Sequence, residues 1–132
     1  MQLSNFLRTV LKLDAASCLA MAAILVPAAG SLQAPLGIDS IVLQGSGLAL
    51  LPLGLFILWL GTRREAPVLL VWAVIIGNVG WTSASFIAAS GLPGITPLGQ
   101  SLVVGQAVTV LTLAFFEWRG LRSSAADQPA HR

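Results

Sequence analysis

An all-α membrane protein, a four-helix transmembrane bundle of up-and-down order with short loops, is the fold class that three features of this sequence predict. Four long apolar runs take up most of the 132 residues. Hydrophobic residues make up 56% and charged residues 9%, with a mean hydropathy of +0.87, the balance of a chain solvated by lipid. All seven Lys and Arg residues fall before the first run, in its opening turn, between the second and third, or after the fourth. Four crossings place all of these on one side, which by the positive-inside rule is the cytoplasm. The connecting segments are too short to fold alone, so residues 1–122 form a single integral membrane domain. Residues 123–132, small and polar, read as a disordered cytoplasmic tail.

The first span is expected over residues 10–29, entered past Arg8 and Lys12, whose four-residue spacing puts both on one helix face within reach of headgroups. At ~1.5 Å per residue it crosses about 30 Å, one hydrocarbon core. Pro27 weakens its last turn, and residues 31–40, with Pro35, Gly37 and no basic residue, read as an outer turn closing on Asp39 as a helix N-cap. A cleavable signal peptide is the competing reading of this segment. The basic residues and Asp14 reach too far into it, and Pro27 and Pro35 crowd the small-residue sites, so the span is expected to be retained. Cys18 reads as a packed small thiol.

The second span, residues 41–60, contains Gly45, Gly47, Pro52 and Gly54, breakers that a membrane bundle tolerates, with a bend expected near Pro52. Trp59 marks the interface before the basic stop at Arg63 and Arg64. Pro67 suits the first turn of the third span, residues 66–90, where its missing donor costs nothing. Thr96 and Pro97 form a cap and first-turn pair for the fourth span, residues 98–118, and Arg119 and Arg122 restore the positive flank.

Polar groups inside apolar spans persist only when satisfied or useful, so they are the functional pointers. Counted from the span ends, Asn78 and Gln106 fall near mid-membrane within roughly one turn of each other, and a hydrogen bond between them is expected. Thr82 and Ser85 continue a polar stripe from Asn78, while Gly80, Ala84 and Ala88 give a small-residue stripe. Ser101, Gly105, Thr109 and Thr112 form a comparable face beside Gln106. Trp81 lies away from the interfacial belt and its indole needs an acceptor, so Asn78, Trp81, Thr82, Gln106 and Thr109 are the candidate pocket or helix-packing cluster. Asp14 is the acidic residue inside a span. An ion pair with Arg63, Arg64 or Arg119 is its expected role, a proton site the alternative. Glu117, next to Trp118 and Arg119, reads as a solvated end charge.

Several chemistries are excluded. One cysteine gives no thiol pair, and one histidine, His131, gives neither a haem ligand set nor a zinc site. No catalytic triad and no phosphate-binding loop can be assembled, so no enzyme activity, cofactor or metal is expected. The basic excess follows from topology and attraction to anionic lipid, not from nucleic-acid binding. Small multidrug transporters also use four short helices and a first-helix carboxylate, but the one-sided charge and the shallow Asp14 set this chain apart from them.

Arg8, Leu13, Asp14 and Ala15, followed by the stretches 47–52 and 78–81, are similar to the many short four-span bacterial inner-membrane proteins without a settled activity. That resemblance implies a bacterial four-helix protein of the cytoplasmic membrane and no site, while the one-sided basic charge puts both termini inside. The leading expectation is a non-enzymatic accessory or interaction protein, packing through its Gly, Ala and Ser faces as a homo-oligomer or against a larger membrane protein. The alternative is a carrier or binder of a small apolar or weakly polar molecule in the mid-membrane pocket.

Overall fold

The computed structural model describes residues 1–127 as four helices, α1 (Asn5–Leu36), α2 (Ser40–Thr62), α3 (Val68–Gly91) and α4 (Pro97–Ala126). Each is long and apolar enough to cross a membrane, and the protein is a multi-pass four-helix bundle. Its outer surface is apolar, with Ile41, Leu69, Ile76 and Ile87 largely exposed. Such a coat is stable against hydrocarbon, and the helices keep their backbone donors and acceptors paired internally.

The caps follow the sequence. Asp39 accepts from the Ile41 amide at 2.8 Å, and the Thr96 hydroxyl accepts from the Gly99 amide at 3.0 Å, with Pro97 in the first turn of α4. Pro67, expected inside the first turn of a span from residue 66, is instead the N-cap of α3, which starts at Val68. The expected end of the first span is corrected: α1 runs through Pro27 and Pro35 to Leu36, so the outer turn shrinks from residues 31–40 to 37–39. Tertiary packing overrides the prolines, since Leu36, Ile38 and Leu43 bury together at this end. Gly37, with φ of 66°, ends the helix, and a side chain there would overlap the Gly94 carbonyl. Pro52 likewise sits inside an unbroken α2. The tail is corrected too. Residues 123–126 belong to α4, and Ser124 is buried and accepts from the Ser4 amide at 3.0 Å. The rest of the expected tail beyond Asp127, including His131, lies outside the described residues.

Each helix buries a seam with alternating three- and four-residue spacing, the pattern of coiled-coil packing. In α2 the seam is Leu43, Gly47, Leu50, Gly54, Ile57 and Gly61. Its three glycines face α1, where added methyl groups would meet Leu25 and Val26, Leu19 and Cys18, and Lys12 and Leu11 in turn. These pairings set one antiparallel register along the whole α1–α2 contact, the most extensive in the molecule. In α4, Gly120 lies against Leu7, and Gly99 lies so close to Leu36 that a side chain would overlap its carbonyl. α3 packs on α4, whereas α2 and α3 barely touch. The bundle is therefore a ring in the order α2, α1, α4, α3, left open between α2 and α3.

Both ends of the ring are tied. At one end Leu3 donates its amide to the Arg64 carbonyl at 2.8 Å and Ala66 donates to Met1 at 3.0 Å, with an antiparallel bridge between Gln2 and Glu65. At the other, Thr96 donates its amide to Leu36 at 3.1 Å and its hydroxyl to Pro35 at 2.7 Å. Every described basic residue stands at the first of these ends. Arg63 lies over Trp59 with its guanidinium carbon 5.5 Å from the ring centre, and Arg122 over Trp118 at 5.1 Å, a cationic and aromatic rim.

The glycine seam makes a matched comparison. Gly47→Ala would place a methyl 2.9 Å from the Leu25 Cβ, and the α1 backbone behind it cannot yield, whereas Gly45 has open space around it. Gly47→Ala is expected to destabilise the bundle by about 1–3 kcal/mol. Gly45→Ala should be neutral or stabilising by up to about 1 kcal/mol. Reversible unfolding in mixed micelles checks both.

Candidate functional site

Two polar layers cross the bundle, both built on α3. The first joins three helices. Asp14 is nine residues from the start of α1 and Glu117 nine from the end of α4, so in this antiparallel pair both stand about 14 Å from the cationic end. Asn78, on α3, leans toward that end because helical side chains tilt toward their own N-terminus. Glu117 leans the opposite way and meets it. The Asn78 amide nitrogen donates to Asp14 Oδ2 at 2.7 Å and to the two Glu117 oxygens at 3.4 and 3.2 Å. The two carboxyls are themselves within hydrogen-bonding reach of each other. The Cys18 thiol lies 3.8 Å from Asp14 Oδ1, a long contact of the weak donor that packs beside it.

These groups are sealed inside the protein. Asp14 is 1% exposed, Glu117 0% and Asn78 8%. The expected ion pair of Asp14 with Arg63, Arg64 or Arg119 is corrected, since its partners among the described residues are Asn78, Cys18 and Glu117. The seam position of Asp14 turns it inward, while the arginines turn toward the rim. Glu117 is corrected from a solvated end charge to a buried one. Its signal in the sequence was its phase: Ala107, Val110, Ala114, Glu117, Leu121 and Ser124 repeat at alternating three and four residues, and Glu117 occupies a core position of that repeat.

The second layer joins α3 and α4. Trp81 Nε1 donates to Gln106 Oε1 at 3.0 Å, and Gln106 Nε2 donates to Ser85 Oγ at 2.8 Å and to the Val103 carbonyl at 2.9 Å. Thr82 donates to the Ala107 carbonyl at 3.4 Å. The indole thus has the acceptor it was expected to need. The expected bond between Asn78 and Gln106 is not made. Asn78 lies 13 residues from the outer end of α3 and Gln106 nine from that of α4, and the two side chains lean apart toward their own helix N-termini, so Gln106 is level with Trp81 and Ser85, nearer the far end than Asn78. The polar stripe of Asn78, Thr82 and Ser85 does face the core. The small-residue stripes do not: Gly80 and Ala84 on α3 and Ser101, Gly105, Thr109 and Thr112 on α4 are exposed on the bundle surface. Thr109 donates back to its own helix at Gly105, 3.0 Å away.

The open side of the ring is a cleft of about 370 Å³. Leu50, Leu53 and Phe56 form its α2 wall, and Ala73, Gly77 and Trp81 its α3 wall. Ser17, Cys18 and Met21 of α1 close its back, together with Val110 of α4. Asn78, Gln106 and Thr109 also line it, so four of the five candidate cluster residues meet at one space, and Thr82 lies behind them. Among the described residues no charged side chain lines the cleft. No group of residues with metal-ligand geometry occurs among the described residues.

The two layers are separate networks, and a double-mutant cycle tests that separation. Asn78→Leu strips two buried carboxyls of their donor, and Gln106→Leu strands the Trp81 indole, each costing about 1–3 kcal/mol. With no shared partner, the coupling energy should stay within about 0.5 kcal/mol in unfolding measurements.

Comparison with protein family models, with curated proteins and with solved structures gives no match to this chain.

Proposed function

We propose that this multi-pass protein holds a small, largely apolar molecule in the cleft between α2 and α3, acting as a binder or carrier within the bacterial cytoplasmic membrane. The observation that carries the reading is the open side of the ring. Helices α2 and α3 are joined by a short turn yet scarcely touch, and the gap is lined by apolar side chains with polar groups at its back. Its volume of about 370 Å³ falls in the range of small-molecule sites. A lateral opening at this depth is reached from the acyl chains rather than from water. The chemistry asked of the protein is recognition, with no bond made or broken.

Topology belongs to the same reading. The six described basic residues gather at the end that carries Asn5 and Ala126, which supports both termini facing the cytoplasm. A reporter fused at the C-terminus should be active in the cytoplasm, and one inserted in the 92–96 turn should be active outside. A C-terminal reporter active outside overturns this orientation.

Interaction through the small-residue faces is the second reading, and it too has a specific support. Gly80 and Gly105 have nothing within 4 Å of where a side chain would begin, so a second copy or a larger membrane protein could approach closely there. Extraction into lipid nanodiscs, with mass spectrometry of the small molecules and proteins retained, separates the two. Gly77 lines the cleft and a Cβ added there meets nothing within 4 Å, so Gly77→Leu is the variant that places an apolar side chain in the cleft. A retained molecule lost in Gly77→Leu and kept in Gly80→Leu is the expected result. A stoichiometric protein partner lost in Gly80→Leu would favour the second reading.

A further inference from the structure

The cleft has one feature that its apolar walls do not explain. Asn78 is more than nine-tenths buried, and its amide nitrogen is taken up by Asp14 and Glu117. Its Oδ1 accepts no hydrogen bond among the described residues. Among the described residues no fully enclosed side-chain oxygen or nitrogen lacks a partner, so Oδ1 opens onto free space, and the space that Asn78 lines is the cleft. The carboxyl oxygens behind it are acceptors. They draw the amide hydrogens to themselves and leave the amide no choice but to turn its oxygen forward. Asp14 and Glu117 are thus positioning residues for an acceptor.

A second polar group comes from α1. Ser17 follows Asp14 by three residues, about one turn, and lines the same space, and its hydroxyl makes no hydrogen bond among the described residues. We infer that the cleft takes a neutral apolar molecule carrying a hydroxyl group, a lipophilic alcohol or phenol, whose O–H donates to Asn78 Oδ1 while its oxygen accepts from Ser17. A hydroxyl is both donor and acceptor, which matches these two open valences on one atom. An ammonium needs three acceptors and a costly desolvation, and the cleft gives it no direct carboxylate. An anion would face two carboxyls with no basic residue in the lining. The remaining body of the ligand would lie against Leu50, Phe56 and Trp81.

This inference rests on the cleft reading, and its test keeps the two apart. Trp59, Trp72 and Trp118 are replaced by Phe, which leaves Trp81 in the cleft wall as the sole fluorophore. The protein in nanodiscs is titrated with a terminally brominated undecanol and with its methyl ether, whose bromine quenches the indole on contact. The alcohol is expected to reach half-quenching at about tenfold lower concentration than the ether, the worth of one hydrogen-bond donor. Asn78→Leu should abolish that preference. Because Asn78→Leu alone strands the carboxyls, the triple variant D14L/N78L/E117L, which removes the whole polar layer together, is the second test. It should keep saturable quenching and lose the preference. Equal affinity for the two probes, or a preference that survives in the triple variant, overturns the hydroxyl assignment and leaves the cleft reading standing. The absence of any saturable quenching that Gly77→Leu removes overturns both.

Discussion

The close approach of α2 to α1 along Gly47, Gly54 and Gly61 is the contact on which the rest of the molecule depends. In lipid, burying one apolar side chain against another gains little, since the alternative neighbour is equally apolar. Association then relies on close packing, and glycine allows two backbones to come near enough for whole helix surfaces to touch. Three glycines at seven-residue spacing do this over the length of α2, fixing its register on α1. Once α2 is committed to α1 along that face, its remaining apolar surface is turned outward and toward the cleft rather than onto α3. The opening between α2 and α3 is thus a consequence of where the glycines lie.

Polar groups complete what packing begins. Asp14 on α1 and Glu117 on α4 meet at one depth because the antiparallel register, held by Leu7 on Gly120 and Leu36 on Gly99, brings them there. Asn78 then bridges both from α3, which has no direct backbone contact with α1. In a medium that offers no hydrogen bonds, such a layer is a specific latch, since any other register would strand charged or polar atoms. The Trp81, Gln106 and Ser85 layer performs the same service between α3 and α4. Together they hold the open-sided ring in one arrangement, with the ends tied by the N-terminal bridge and by Thr96.

The cleft inherits its character from both contacts. Its apolar walls come from the α2 and α3 surfaces that the glycine seam leaves apart. Its polar back comes from the layers that latch the helices together. The Asn78 amide belongs to both, with its nitrogen in the latch and its oxygen in the cleft. A molecule bound there, as proposed, would touch a group that also holds the bundle together, and its retention would be coupled to stability by mass action.

The sequence by itself determined the solvent, the number of crossings, the side on which the charge gathers and the helix starts at Asp39 and Thr96. These are properties of single segments: length against hydrocarbon thickness, side-chain capping, and the cost of carrying Lys or Arg into lipid. It also singled out Asn78, Trp81 and Gln106, because a buried polar group is conspicuous in an apolar run. What it did not disclose was who meets whom. Counting residues put Asn78 and Gln106 within roughly one turn in depth, but it did not show that the two side chains lean apart toward opposite ends of the bundle. Tertiary packing extended α4 to Ala126 and started α1 at Asn5, which drew Glu117 and Asp14 deep enough into the bundle to take Asn78 as their donor. The small-residue stripes that looked like the packing faces lie outward, because spacing shows that a face is narrow but not which neighbour it turns to. Glu117 sits beside Trp118 and Arg119 in the chain, yet points to the core. Its direction is set by the helix phase relative to three other helices, and only the assembled bundle decides that.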